Sequence, residues 1–271
     1  MFRLVQVKSD ELRLIKCFSP PELAINKTHA CIVQKANGTK EFGYVKVITE
    51  ESGDPDAVAR TLPVILRRAT LQDQAQASEN VLLSKTFRRF CQEKISEYKL
   101  DMVLVRIHYS FDRSLLTVLF KSQNRVDFRQ LVKDMTAEAN TRIEMRQIGM
   151  RDVAALIGAL GPCGRPLCCA TWLKDFGNVY VRMVKMQGLS LNPDIMNGMC
   201  GRLKCCLRFE HSSYQQLLRR LPRKGDLVSC TYGKGKVIDT SVLSQTVKLL
   251  FDDNRVRNLD VHDIKKLGSR R

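Results

Sequence analysis

The chain has 271 residues, 44% hydrophobic and 27% charged, which is enough apolar material for packed cores and too much for a disordered tail. Its 45 Lys and Arg against 28 Asp and Glu leave a formal charge of +17, a field that attracts polyanions, nucleic acid first and an anionic membrane surface second. The amino-terminal stretch MFRLVQVKSDELRL lacks the basic, apolar, small-residue order of a signal peptide, and the longest weakly polar run, VAALIGALG, is far short of a membrane span, so a soluble cytoplasmic protein is expected.

In chain order, the first seventy residues read as β-rich. HACIVQKANGTKEFGYVKVI has two extended runs around Asn37-Gly38, a dipeptide that tolerates the positive φ of a tight hairpin. A helix is predicted over about 70–98, with Leu83, Phe87, Phe90, Cys91, Ile95 and Tyr98 on one apolar face and Cys91 a core residue. MVLVRIHYSFDRSLLTVLF reads as two strands turning at 112–114. VDFRQLVKDMTAEAN reads as a helix capped by Asp127, with Phe128, Leu131, Val132 and Met135 along one side, and TRIEMRQI as a further strand. A cysteine-rich segment over 149–210 precedes a helix through SSYQQLLRRL. The remainder shows short strands broken by glycines and by Asp252-Asp253, with Cys230 buried in one of them. The predicted class is α+β. Its expected parts are a β-rich module over 1–69, an α+β layer over 70–148, the cysteine-rich segment with its basic helix over 149–222, and a small SH3-like β module over 223–271.

Six of the ten cysteines fall in two copies of one spacing, CGRPLCC at 163–169 and CGRLKCC at 200–206. Aligned, both read G-x-C-G-R-x-x-C-C, with Gly161 matching Gly198 and Arg165 matching Arg202. In a reducing compartment clustered thiols point to metal or catalysis rather than to disulfides. Each loop can fold back so that its leading cysteine and one of its pair face a common point, and two loops then supply the four thiolates that zinc or an iron–sulfur cluster demands. Cys163, Cys168, Cys200 and Cys205 form one such set. Adjacent cysteines point in different directions, which leaves Cys169 and Cys206 for a second, partner-completed site or for packing. The duplicated pair favours iron–sulfur, with zinc as the alternative. Arg165 and Arg202 can offset the accumulated charge. A thiol oxidoreductase is a poorer fit, because the chain has neither C-x-x-C nor a thioredoxin-like βαβ context.

IGALGPCGRPLCC followed by LSLNPDIMNGMCGRLKCC closely resembles the RicT (YaaT) family, bacterial proteins carrying the polymerase-suppressor C-terminal domain. The resemblance extends upstream through KLDMVLVRIHYSFD, NRVDFRQLVKDM and TRIEMRQIGMRD, and downstream to GKGKV. It implies a regulatory subunit rather than a catalyst. Family members join two small helical partners, RicA and RicF, in a complex that holds [4Fe-4S] clusters, associates with the endoribonuclease RNase Y and governs RNA processing. Cys163, Cys168, Cys169, Cys200, Cys205 and Cys206 fall on the family's cysteine positions.

RLKCCLRFEHSSYQQLLRRLPRK is strongly basic, and Arg208, Arg219, Arg220, Arg223 and Lys224 are candidate RNA contacts, with Phe209 and Tyr214 available to stack on bases. The four histidines are scattered. His108 reads as structural, and His211 is the one near the cysteines, a candidate outer-shell partner. GKGK at 233–236 reads as a hairpin turn, since it lacks the full phosphate-loop spacing. No Ser-His-Asp pattern, paired carboxylates or acidic metal site is apparent, so no catalytic residue is assigned.

Overall fold

A computed structural model of the chain describes residues 2–9, 14–173 and 177–266. The chain forms an α+β fold in two compact units that divide between Gly149 and Met150.

The first unit begins with a closed five-stranded barrel. Strands β1 (Phe2–Ser9), β2 (Leu14–Ser19), β3 (Ala30–Gln34), β4 (Lys40–Glu51) and β5 (Val64–Arg68) run in the order β1-β2-β5-β3-β4. The β3–β4 hairpin turns at Gly38, whose φ of +83° is the left-handed conformation that Asn-Gly announces. A register shift at Gln6/Val7 bends β1 as the barrel closes. Val5, Val7, Cys17, Cys31, Val33, Val45 and Ile65 fill the interior. Gly43 is required by the close approach of β1 and β4, because a Cβ there would lie 2.5 Å from a Val7 methyl and 2.7 Å from the Lys8 carbonyl oxygen. Helix α1 (Pro55–Thr61) covers Phe2, Leu4 and Phe18 with Val58 and Ala59.

Helix α2 (Leu71–Glu97) follows, then β6 (Val103–Tyr109), β7 (Leu115–Lys121), α3 (Arg129–Ala139) and β8 (Arg142–Gln147). β6 and β7 are antiparallel neighbours, and α3 is the crossover that makes β8 parallel to β7. Thr70 and Asp73 cap α2 reciprocally, and Arg67 grips the Asp73 carboxylate at 2.9 Å. The α2 core face is Ala77, Asn80, Phe87, Cys91 and Ile95, so Cys91 is a core residue as expected. Leu83, expected on that face, is 39% exposed. Asn80 takes the buried track one turn earlier because its amide bonds the Ser110 and Phe111 carbonyls at 3.3 and 3.1 Å. The α3 start also differs from expectation: Phe128 is the N-cap residue, and Asp127 accepts the Arg129 N–H at 3.1 Å from just outside the helix.

The second unit opens with α4 (Met150–Ile157), α5 (Val181–Met186), α6 (Pro193–Met196) and α7 (Cys205–Arg220). Their small core is Met183, Val184 and Leu207, with Val179, Met196 and Leu203 packed on it. Strands β9 (Leu227–Cys230), β10 (Gly233–Ser241), β11 (Thr246–Phe251), β12 (Val256–Asp260) and β13 (Ile264–Lys266) form an antiparallel sheet in the order β12-β11-β10-β9-β13. Leu221, just beyond α7, joins Val228, Val237, Val247 and Leu249 in the core of that sheet. Cys230 lies on β9, half-buried rather than buried, with its thiol 3.4 Å from the Gly233 carbonyl. Residues 267–271 of the expected C-terminal module lie outside the described residues. Among the described residues, no helix is long and apolar enough to cross a membrane.

Candidate metal centre

The two cysteine motifs fold into the same turn twice. The Gly161 N–H donates to the Arg165 carbonyl at 2.8 Å, and the Gly198 N–H donates to the Arg202 carbonyl at 2.8 Å. Gly164 N–H to Gly161 carbonyl and Gly201 N–H to Gly198 carbonyl are both 2.9 Å. Leu160 bridges Pro166 as Asn197 bridges Leu203. Leu167 N–H reaches the Ala159 carbonyl at 3.1 Å, and Lys204 N–H reaches the Met196 carbonyl at 3.0 Å. The motif glycines are needed for conformation, since Gly164 and Gly201 sit at φ of +75° and +72°.

After each turn the cysteine pair enters a helical segment. Cys168 and Cys169 begin a short turn, while Cys205 and Cys206 are the first two residues of α7. The sequence reading puts the helix start beyond the cysteines. It starts on them, so the second pair stands at the positive end of a helix dipole, where unsatisfied N–H groups favour negative sulfur.

The turns bring thiols of the two copies into electrostatic reach. Cys205 is raised to about 11, first by burial and then by the charge of Cys168, Cys169 and Cys206. Burial likewise raises Cys169, with Cys200 adding to the effect, and it raises Cys206, with Cys168 and Glu210 adding to it. Cys169 thus feels the charge of Cys200, and Cys206 that of Cys168, a thiol of the opposite copy in each case. Five of the six motif cysteines are half-buried, and Cys163 is exposed. Such neighbours resist ionising together unless a cation compensates them, and soft thiolate sulfur suits zinc, iron or an iron–sulfur cluster. The donor set fits such a group in kind. Among the described residues, no three Cys, His, Asp or Glu side chains converge on one ion position.

The cation beside these thiols is one that motif spacing does not single out. Arg151 of α4 opposes the upward shift of both Cys169 and Cys205, and its guanidinium is held by the Leu203 carbonyl at 3.0 Å. Lys204 does the same for Cys206. Arg165 and Arg202 are exposed, and their carbonyls close the turns. Arg151 lies fifty-two residues from Leu203, too far along the chain for spacing to reveal it.

Arg208, Arg219, Arg220, Arg223 and Lys224 are all exposed, on α7 and the residues just after it. Phe209 is 58% exposed and packs edge-on against Trp172, ring centroids 4.6 Å apart, so the aromatic surface is a pair that includes a residue the sequence did not single out. Tyr214 is half-buried. His211 is buried on the Leu207 face of α7, with Nδ1 lacking a hydrogen-bond partner. His108 is structural as expected, its Nε2 2.8 Å from the buried Glu41 carboxylate.

Two family models match parts of this α+β chain. Residues 63–148 match the PSP1 C-terminal conserved region, and residues 178–221 match the third domain of PSP1-like proteins. The chain is 38% identical over 249 residues to stage 0 sporulation protein YaaT of Bacillus subtilis (strain 168), covering 92% of this chain and 90% of that protein. It belongs to the YaaT (RicT) family. An uncharacterized protein of Schizosaccharomyces pombe is 33% identical over 81 residues, which is 30% of this chain and 11% of that protein. No solved structure matches.

Proposed function

We propose that this chain is a non-catalytic regulatory subunit whose duplicated cysteine turns hold an iron–sulfur cluster. In this reading it acts in RNA processing through a complex with an endoribonuclease. Membership of the YaaT family supports the regulatory role. The observation that carries the cluster is the twin turn, two loops with matching hydrogen bonds that bring Cys168, Cys169 and Cys206 within electrostatic reach of Cys205, and Cys200 within reach of Cys169.

The [4Fe-4S] clusters held by the family's complexes favour a cluster of that type here; four thiolates complete one, which leaves two cysteines available to a partner. Cys163, Cys168, Cys169, Cys200, Cys205 and Cys206 are the candidate ligands, Arg151 and Lys204 moderate their charge, and the cluster supplies a redox- and iron-sensitive link. Loss of such a link would loosen a complex without any chemistry by this chain. Exposed Arg208, Arg219, Arg220, Arg223 and Lys224 are the proposed contacts to RNA phosphates. Small helical proteins of the RicA and RicF kind and an RNase Y-like enzyme are the proposed partners, with the cytoplasm as the site of action.

Anaerobic reconstitution of the full chain tests the reading. Iron and acid-labile sulfide are expected in near-equal amounts, with broad charge-transfer absorption in the visible. Zinc retained stoichiometrically through the same procedure would overturn it in favour of a zinc-stabilised nucleic-acid-binding module.

A further inference from the structure

The two cysteine turns are alike beyond their cysteines. Ala170 N–H donates to the Leu167 carbonyl at 2.9 Å, and at the matching place Leu207 N–H donates to the Lys204 carbonyl at 3.2 Å. Thr171 N–H also reaches the Leu167 carbonyl, at 3.1 Å, so the first cysteine pair starts a helical turn as the second pair starts α7. Trp172 stands three residues after Cys169, and Phe209 stands three residues after Cys206. The intervening residues differ, Ala170 and Thr171 in one copy and Leu207 and Arg208 in the other, yet both copies carry an aromatic ring at this position.

These equivalent rings are the two that meet, edge to face, with centroids 4.6 Å apart and planes at 72°. Trp172 is 53% exposed and Phe209 58%, so neither belongs to the buried core of Met183, Val184 and Leu207. On a helical turn, residues three and four apart share a face. Phe209 therefore lies one turn on from Cys205 and Cys206, on their side of α7, and Trp172 bears the same relation in sequence to Cys168 and Cys169. A contact between equivalent residues of a repeat fixes how far apart its copies stand, and this one does so a single turn from both cysteine pairs. Edge-to-face packing is directional, so it restrains the angle between the turns as well as their separation. The charge of Cys168 acts on both Cys205 and Cys206 across the same junction.

We propose that Trp172 and Phe209 are positioning residues of the metal centre, and that the contact between them sets the distance from Cys168 and Cys169 to Cys205 and Cys206. The rings supply no ligand and act through the thiols. The proposal rests on the cysteine turns binding a thiolate-seeking metal, and it holds for zinc and for an iron–sulfur cluster alike.

Cobalt(II) is the probe, because its thiolate charge-transfer and d–d bands report ligand type and geometry whichever metal is native. Full-length Trp172→Ala and Phe209→Ala are titrated with cobalt(II) against a competing chelator, and the metal-free chains are unfolded in denaturant. Each alanine variant is expected to bind cobalt(II) about tenfold or more weakly, with the metal-free denaturation midpoint close to that of the unaltered chain. The double variant should lose little more than either single one, since the two rings make one contact. Trp172→Phe keeps a ring and should retain most of the affinity. Unchanged affinity in both alanine variants would overturn the proposal. So would Trp172→Phe binding as poorly as Trp172→Ala, or an affinity loss matched by an equal loss of metal-free stability. An unaltered chain that binds cobalt(II) through its thiols but assembles no iron–sulfur cluster would remove the cluster and leave the positioning role to be decided by the variants; a chain that binds neither would remove both.

Discussion

Cys31 of the barrel and Cys205 of α7 are the same residue type, and both thiols are held above their ordinary range, yet for different reasons. Cys31 is fully buried among Val5, Val7, Val33 and Val45, and desolvation alone raises it to about 12. Cys205 is half-buried, and the charges of three other cysteines add to the effect of burial. The first environment rejects any charge. The second rejects an uncompensated one, which a bound cation would compensate. Cysteine chemistry in this chain is thus decided by what surrounds the sulfur, and the contrast can be tested from both sides.

The largest expected effect is on metal content. Cys168→Ser or Cys205→Ser should remove most of the iron bound after anaerobic reconstitution, whereas Cys31→Ala should leave iron per folded chain unchanged and lower stability instead. Iron and sulfide assays paired with chemical denaturation separate the two outcomes. Equal iron loss in all three variants would erase the distinction drawn between the regions.

Alkaline pH should act on the buried group in a smaller and graded way. Cys17, Cys31 and Cys91 are raised from an ordinary 9.0 to about 12, chiefly by burial. The folded state therefore keeps protons that the unfolded state releases. Their contribution to stability is fully present below pH 9, and it is lost progressively as pH rises from 9 towards 12. The loss is about 1.4 kcal/mol for each pKa unit at each thiol, as an upper figure. Denaturation midpoints measured across that window should fall less steeply in Cys31→Ala than in the unaltered chain.

The smallest effect concerns the surface beside the cysteines. Reversing the charge of Arg219, Arg220, Arg223 and Lys224 should weaken binding of single-stranded RNA and flatten its dependence on salt, by about 0.7 in log–log slope for each phosphate no longer neutralised. Cluster content should not change. An unaltered slope would assign these side chains to a solvated face.

The α+β class, the Asn37-Gly38 hairpin, the span of α2 and the doubling of the cysteine motif were all legible in the sequence. They rest on local rules, namely turn dihedrals, helical periodicity and spacing, which act over a few residues. Errors arose where a partner lay far along the chain. Leu83 lost its place in the core to Asn80, a polar residue that periodicity discounts and that the carbonyls of Ser110 and Phe111 hold. Arg151, which motif spacing does not reveal, acts on Cys169 and Cys205 and is anchored by the Leu203 carbonyl fifty-two residues away.

By itself the sequence determined which residue types carry the chemistry, since only cysteine offers soft thiolates and only its repeated spacing makes two turns alike. Tertiary structure alone decided which thiols stand together and which cation attends them. Those outcomes depend on distances between segments that hydrophobic packing brings together, and no local rule of the chain encodes them.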